Sequence, residues 1–353
     1  VECAAVLSEI PFRLIGVEDE ELFWPAFRSF FSIGKKKDLI RRRFDDHEAV
    51  LTRLKKQTYN QELLRFDSLA SGFETKDISA QQFLPVLYDY FESLGIDYTR
   101  FLTLLQLRNA LIAQGQVHFE SLDYEIEKLT KELAEPFGNA AEYFKEYSAG
   151  AVSRRQIVTY LYSQAQQKGV SLEPYMNISN AVQFWRKIGV VDAEKRDQEI
   201  YQAAMLIRGR LARSEKEKQI IDVSAMVHEL RALLGFRASR DTVQDFINER
   251  ENYQIKYLYD IIGSHSASGI LEKSISEAHH FYSLLMKREE QLVSDVIDDM
   301  KERGIRAAVL VAGKEHTEGI SDILHTRNIT YTVIEPHAIS RVYDVLYMER
   351  MMG

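Results

Sequence analysis

The sequence predicts an α/β core of the strand–helix–strand (βαβ) type, split in sequence by a large all-α insertion, so that the chain is predominantly helical overall. Three observations predict it. Two short apolar runs, 12–17 and 307–312, have the length and composition of strands covered on both faces. A third run, 329–334, alternates apolar and polar residues as a strand does. Between the first two, the apolar residues keep helical spacing, and only six prolines occur in 353 residues.

Taken in order, Val1 opens the sequence where Met is usual, and 1–7 already reads as part of an element. A further strand is therefore expected upstream. The run 12–17 ends near Gly16 and delivers Glu18, Asp19, Glu20 and Glu21. From about Leu22 the pattern turns helical, with breaks expected near glycines that include Gly34, Gly72, Gly95, Gly169 and Gly263. The stretch 264–269 reads as a linker, and a helix over 271–302 leads into the strand at 307–312. Gly313 ends that strand, Thr317 and Glu318 open a helix through Leu324, Asn328 stops it, and 329–334 closes the unit. The chain thus divides into an N-terminal part of the core (1–30), a helical insertion (31–270) and a C-terminal part of the core (271–353).

The insertion contains an internal repeat. Residues 78–126 align without a gap on 152–200: Ser79 with Ser153, Gln82 with Gln156, Leu87-Tyr88 with Leu161-Tyr162, Gly95 with Gly169, and Glu125-Ile126 with Glu199-Ile200. Each copy reads as three helices separated by glycine turns. Phe83, Leu87, Tyr88 and Phe91, with Ile157, Tyr160 and Leu161, fall at helical spacing and are expected to pack rather than to line a ligand box. Trp24 and Trp185 read as core anchors.

Composition excludes several classes. A net charge of −8 argues against general nucleic-acid binding. No apolar run approaches the ~20 residues of a membrane span. A single cysteine, Cys3, forbids an internal disulfide and any multi-cysteine metal site, and suits a reducing, cytoplasmic setting. The one dense basic cluster, Lys35 to Lys37 with Arg41 to Arg43, is followed at once by Asp45, Asp46 and Glu48, which reads as a self-paired helix surface.

The chemistry is expected where a strand meets a helix, because polar residues just past a strand's carboxyl end face the crevice where α/β proteins bind ligands. His316 stands there. An imidazole on a rigid turn can bind a metal or take a proton near neutral pH. Glu18 can bind the same metal or orient the base, with Asp19 capping the following helix. Arg288 can neutralise an anion or a developing oxyanion. Gly313, Glu315, Thr317 and Glu318 flank the histidine as supporting residues. The run lacks the two-histidine spacing of a zincin and the glycines of a phosphate loop. Glu277 and His280, three apart on one helix face, form a lesser carboxylate–imidazole pair.

The run LMKREEQLVSDVIDDMKERGIRAAVLVAGKEHTEGISDILHTRNITYTVI resembles the closing segment of the TraB/Tiki and ChaN-like superfamily, which also takes in the erythromycin esterases. That segment has an arginine-bearing helix, a strand, a Gly-x-x-His motif and a helix. Here these positions are Arg288 and Gly313-Lys314-Glu315-His316. The family's acidic residue after a Gly-hydrophobic pair matches Gly16-Val17-Glu18, and the layout of GVED, long helical insertion and GKEHTEG is similar to a bacterial group within the superfamily. The resemblance implies a hydrolase of peptide or ester bonds, metal-assisted through zinc or manganese, with His316, Glu18 and Arg288 in its site. ChaN-like relatives imply haem binding instead. The sequence departs from the family in one respect, since no histidine stands ahead of Glu18. A different class, a non-enzymatic helical interaction or scaffold protein, fits the same long helical block.

Overall fold

The protein is described by a computed structural model that covers residues 16–137, 139–263, 269–313 and 316–334. Among these residues it is all-α: no strand forms. This corrects the expected α/β core. Residues 307–312 and 329–334 adopt neither helix nor strand, and their apolar side chains lie open, Val309 at 91% and Ile334 at 87% exposure. A strand exists only as a member of a hydrogen-bonded ladder. The alternation in the sequence marks a segment fit to pair, and among the described residues nothing pairs with it. Most of the first run, 12–15, lies outside the described residues, as do the readings for 1–7, Cys3 and the linker residues 264–268.

The helices are α1 (Glu20–Lys35), α2 (Lys37–Thr58), α3 (Gln61–Glu74), α4 (Ala80–Ser93), α5 (Leu102–Gly115), α6 (Phe119–Phe137), α7 (Asn139–Ser148), α8 (Arg154–Lys168), α9 (Met176–Gly189), α10 (Ala193–Leu211), α11 (Glu215–Leu234), α12 (Arg240–Asn248), a 3-10 turn Arg250–Tyr253, α13 (Ile255–Ile262), α14 (Gly269–Arg303) and α15 (Thr317–Thr326). They form two compact units. One is Asn60–Arg213, and the other joins Val1–Tyr59 to Ser214–Gly353.

The unit built from the two chain ends is organised on α14, a single 35-residue helix with α1 laid along it. Its core draws Ile33 from α1, Phe44 and Leu51 from α2, Val223, Val227 and Leu230 from α11, Phe246 from α12, Leu258 from α13, and Leu271, Ala278 and Tyr282 from α14. The α14 positions 271, 275, 278 and 282 recur every three or four residues, the stripe that an amphipathic helix buries. Asp19 starts α1 by accepting hydrogen bonds from the amides of Glu21 (2.8 Å) and Leu22 (3.2 Å). The break expected near Gly34 falls at Lys36, which stands between α1 and α2. Trp24 is not the core anchor its size suggested. It is 49% exposed and rests edge-on against Phe23 and Phe27.

In the unit Asn60–Arg213 the two copies of the repeat carry equivalent structural features. Ser79 starts α4 and Ser153 starts α8, each through a reciprocal capping box with Gln82 or Gln156. Gly95 and Gly169 both hold left-handed backbone, φ 60° and 71°, which glycine adopts without a Cβ clash. The correspondence also reaches α3 and α7, which the sequence identities leave out: each is followed by a left-handed residue at the same repeat position, Lys76 (φ 67°) and Gly150 (φ 76°). The break expected near Gly72 comes at the end of α3, two residues beyond that glycine, and a Cβ on Gly72 would meet Ile78 Cδ1 at 2.7 Å. Phe83, Leu87, Tyr88, Phe91, Ile157 and Leu161 are all buried, and Trp185 packs against the core formed by α6, α8 and α9.

The copies interlock through crossed caps. Glu125, on α6 of the first copy, accepts from the Ile178 amide (3.0 Å) and Asn177 Nδ2 (2.8 Å) at the start of α9 in the second copy. Glu199, its equivalent on α10, accepts from the amides of Thr103 (3.1 Å) and Leu104 (2.9 Å) at the start of α5 in the first. Neither α5 nor α9 has a side-chain cap of its own from its N-cap residue. Each copy therefore supplies the acceptor that the other copy's helix lacks.

Candidate functional site

The residues singled out from the sequence meet α14 at Arg288 and its neighbour Glu289, and they meet it as two closed polar clusters. In the first, Arg288 clasps Glu18 through two parallel hydrogen bonds, Nε to Oε1 at 3.0 Å and Nη2 to Oε2 at 2.9 Å. This is the fork geometry in which a guanidinium saturates a carboxylate. The guanidinium also lies over the Phe23 ring, 5.1 Å from its centre. Glu18 stands just before the Asp19 cap, so the start of α1 and the middle of α14 are tied at this point.

The second cluster surrounds Glu289, whose side chain is wholly buried. Arg240, from the first turn of α12, donates through Nη1 to Glu289 Oε2. His316, immediately ahead of α15, places Nδ1 3.4 Å from Glu289 Oε1. Because a carboxylate only accepts, that contact requires the proton on Nδ1. His316 is 5% exposed, and its own amide donates to the Gly313 carbonyl at 3.0 Å. Gly319 completes the arrangement: a Cβ there would overlap Glu289 Oε2 and come within 2.6 Å of Arg240 Nη1. Only glycine lets α15 approach this buried charge so closely.

Among the supporting residues, Asp19 caps α1, Gly313 is exposed, Thr317 opens α15, and Glu318 points outward in its first turn. Glu315 lies outside the described residues. Glu277 is engaged by α1, accepting from Ser32 Oγ at 3.0 Å and from Lys36 Nζ at 2.8 Å, while His280 is exposed. Glu289 and Arg240 were not among the candidates. A signal for Glu289 existed, since it falls in step with Ala278, Tyr282 and Leu285 on the buried stripe of α14, where a carboxylate needs a partner.

The implied metal does not fit these side chains. Both Glu18 oxygens are held by Arg288, His316 is buried, and among the described residues no three His, Cys, Asp or Glu side chains are placed to hold a metal ion. Among the described helices none is long and apolar enough to cross a membrane. Comparison with known proteins adds no relative: no family model, curated protein or solved structure matches the chain.

Proposed function

We propose that the protein works by binding and not by catalysis, as a helical interaction protein whose unit Asn60–Arg213 offers the same contact twice. One observation carries this reading. Leu102 and Met176 occupy the same position of the two copies, each opens the second helix of its copy, and each is 66% exposed. Scattered exposed apolar residues need no explanation. Two large ones at equivalent positions, each beside a helix start fixed by the other copy's glutamate, are a reason to expect a partner that engages twice, with the gain in affinity that two linked contacts bring.

Hydrolysis has less support. Its general base would be an imidazole that is only 5% exposed, and both oxygens of its acidic residue are held by an arginine. These groups are better read as ties that hold α1, α12, α14 and α15 together.

The test is capture of partners by the wild-type chain and by Leu102→Asp/Met176→Asp, followed by identification and re-binding of the purified partner. The expected result is a partner whose affinity falls by about tenfold or more in the double variant, with a smaller loss in each single variant. A partner bound equally well by all four proteins overturns the assignment of the contact to these residues.

A further inference from the structure

The 3-10 turn, the start of α13 and the first two turns of α14 line an open cleft of about 490 Å3, in the size range of sites for small organic molecules. Its floor is apolar: Tyr253, Ile255 and Ile275 are each less than a tenth exposed. Its walls carry two cations, Arg250 and Lys256, and two carboxylates, Glu251 and Glu272. Arg250 spends one donor on Ser276 Oγ at 2.9 Å. Glu272 is different. Its Oε2 is shielded from solvent yet has no hydrogen-bond partner.

A buried carboxylate oxygen without a donor is costly to keep, and most such groups in folded proteins have one. Glu272 itself lines the cleft, so a turn of its side chain can present that oxygen to a ligand. The missing donor is an N–H or O–H group and is best cationic, because charge-assisted bonds to carboxylates are the strong ones. An isolated cation would meet Arg250 and Lys256 across the same cleft. The four charges sum to zero, so a ligand that is itself neutral overall but carries both signs matches the lining.

We propose that this cleft binds a small amphoteric molecule of the amino-acid class, its ammonium on Glu272, its carboxylate on Arg250 and Lys256, and its apolar side chain on Tyr253, Ile255 and Ile275. The assignment is independent of the partner contact at Leu102 and Met176, and either can fail without the other.

Calorimetric titration of the full chain with leucine, leucinamide and N-acetylleucine tests it. Leucine binds; leucinamide, which lacks the carboxylate, and N-acetylleucine, which lacks the ammonium, each bind about tenfold more weakly or worse. In Glu272→Gln the affinity for leucine drops by about tenfold, and in Lys256→Gln by severalfold. The analogue series on the wild-type chain decides the matter even if Glu272→Gln does not fold. Absence of binding by all three compounds up to about 10 mM, or equal binding by all three, overturns the proposal.

Discussion

Replacing Glu199 by Ala removes the acceptor for two amides at the start of α5, and replacing Glu125 does the same to one amide and one side-chain amide at the start of α9. A hydrogen bond to a charged group contributes about 1.5–3 kcal/mol, and loss of a helix N-cap costs about 0.5–2 kcal/mol. The bonds at each site act on one helix start and are not independent, so each Ala substitution should cost about 2–3 kcal/mol. Glu125 is the more buried of the two and belongs at the upper end. For a unit of this size, with about 2–4 °C lost per kcal/mol, the midpoint of thermal unfolding should fall by about 5–10 °C. The start of α9 lies beside the end of α5, since the His118 amide donates to Asn177 Oδ1 and Asn180 Nδ2 donates to the Gln116 carbonyl. The two caps therefore sit at opposite ends of helices roughly 20 Å long, and the double variant should be additive within about 0.5 kcal/mol. Guanidinium unfolding followed by circular dichroism gives the energies. Hydrogen exchange at the Leu104 and Ile178 amides gives the location. A cost below about 0.5 kcal/mol at either site, or faster exchange at the helix start in the mutated copy instead of the opposite one, refutes the crossed arrangement.

Three further outcomes follow from the unit built on α14. Glu289→Ala leaves Arg240 without its partner at a buried site and should destabilise by about 3–5 kcal/mol, read in the denaturation midpoint. Gly319→Ala puts a methyl group onto Glu289 Oε2 and should cost about 1–3 kcal/mol, whereas Gly16→Ala, with open space around it, should be near neutral. His47 has its pKa lowered chiefly by burial, with nearby Arg43 adding to this and Asp46 opposing it, and its buried Nε2 has no partner. The unfolded chain then binds a proton more readily than the folded one, so stability should be fully present above about pH 6.5 and fall as the pH drops toward the folded pKa. His47→Leu should flatten that part of the stability–pH curve.

Much of the helical architecture is legible in the sequence, and the reasons are local. Ser79 and Ser153 announce α4 and α8 because a capping box needs only four consecutive residues. The helix expected over 271–302 forms as α14, and that expected over 317–324 forms as α15, with Asn328 left-handed (φ 56°) just beyond it. What failed to read correctly depends on partners distant in sequence. The apolar runs 307–312 and 329–334 have strand composition, but ladder formation is a property of two segments and not of one. Trp24 looked like a core residue because a composition argument cannot tell which flank of α1 meets α14. The candidate site shows the same division. Arg288 was singled out by the resemblance of its segment, as a site residue; its clasp on Glu18 depends on a residue 270 positions away. That its neighbour Glu289 would take His316 could be seen only with α12, α14 and α15 together.

The most direct test of the account is a turnover assay on a panel of esters and peptides, with and without added zinc or manganese, comparing the wild-type chain with Glu18→Gln and His316→Gln. If these residues are structural ties, the wild-type chain shows no turnover above that of heat-denatured protein, and both variants unfold at lower temperature. Turnover by the wild-type chain that is abolished in either variant while its circular dichroism and unfolding midpoint stay unchanged would contradict the account and place catalysis at α14.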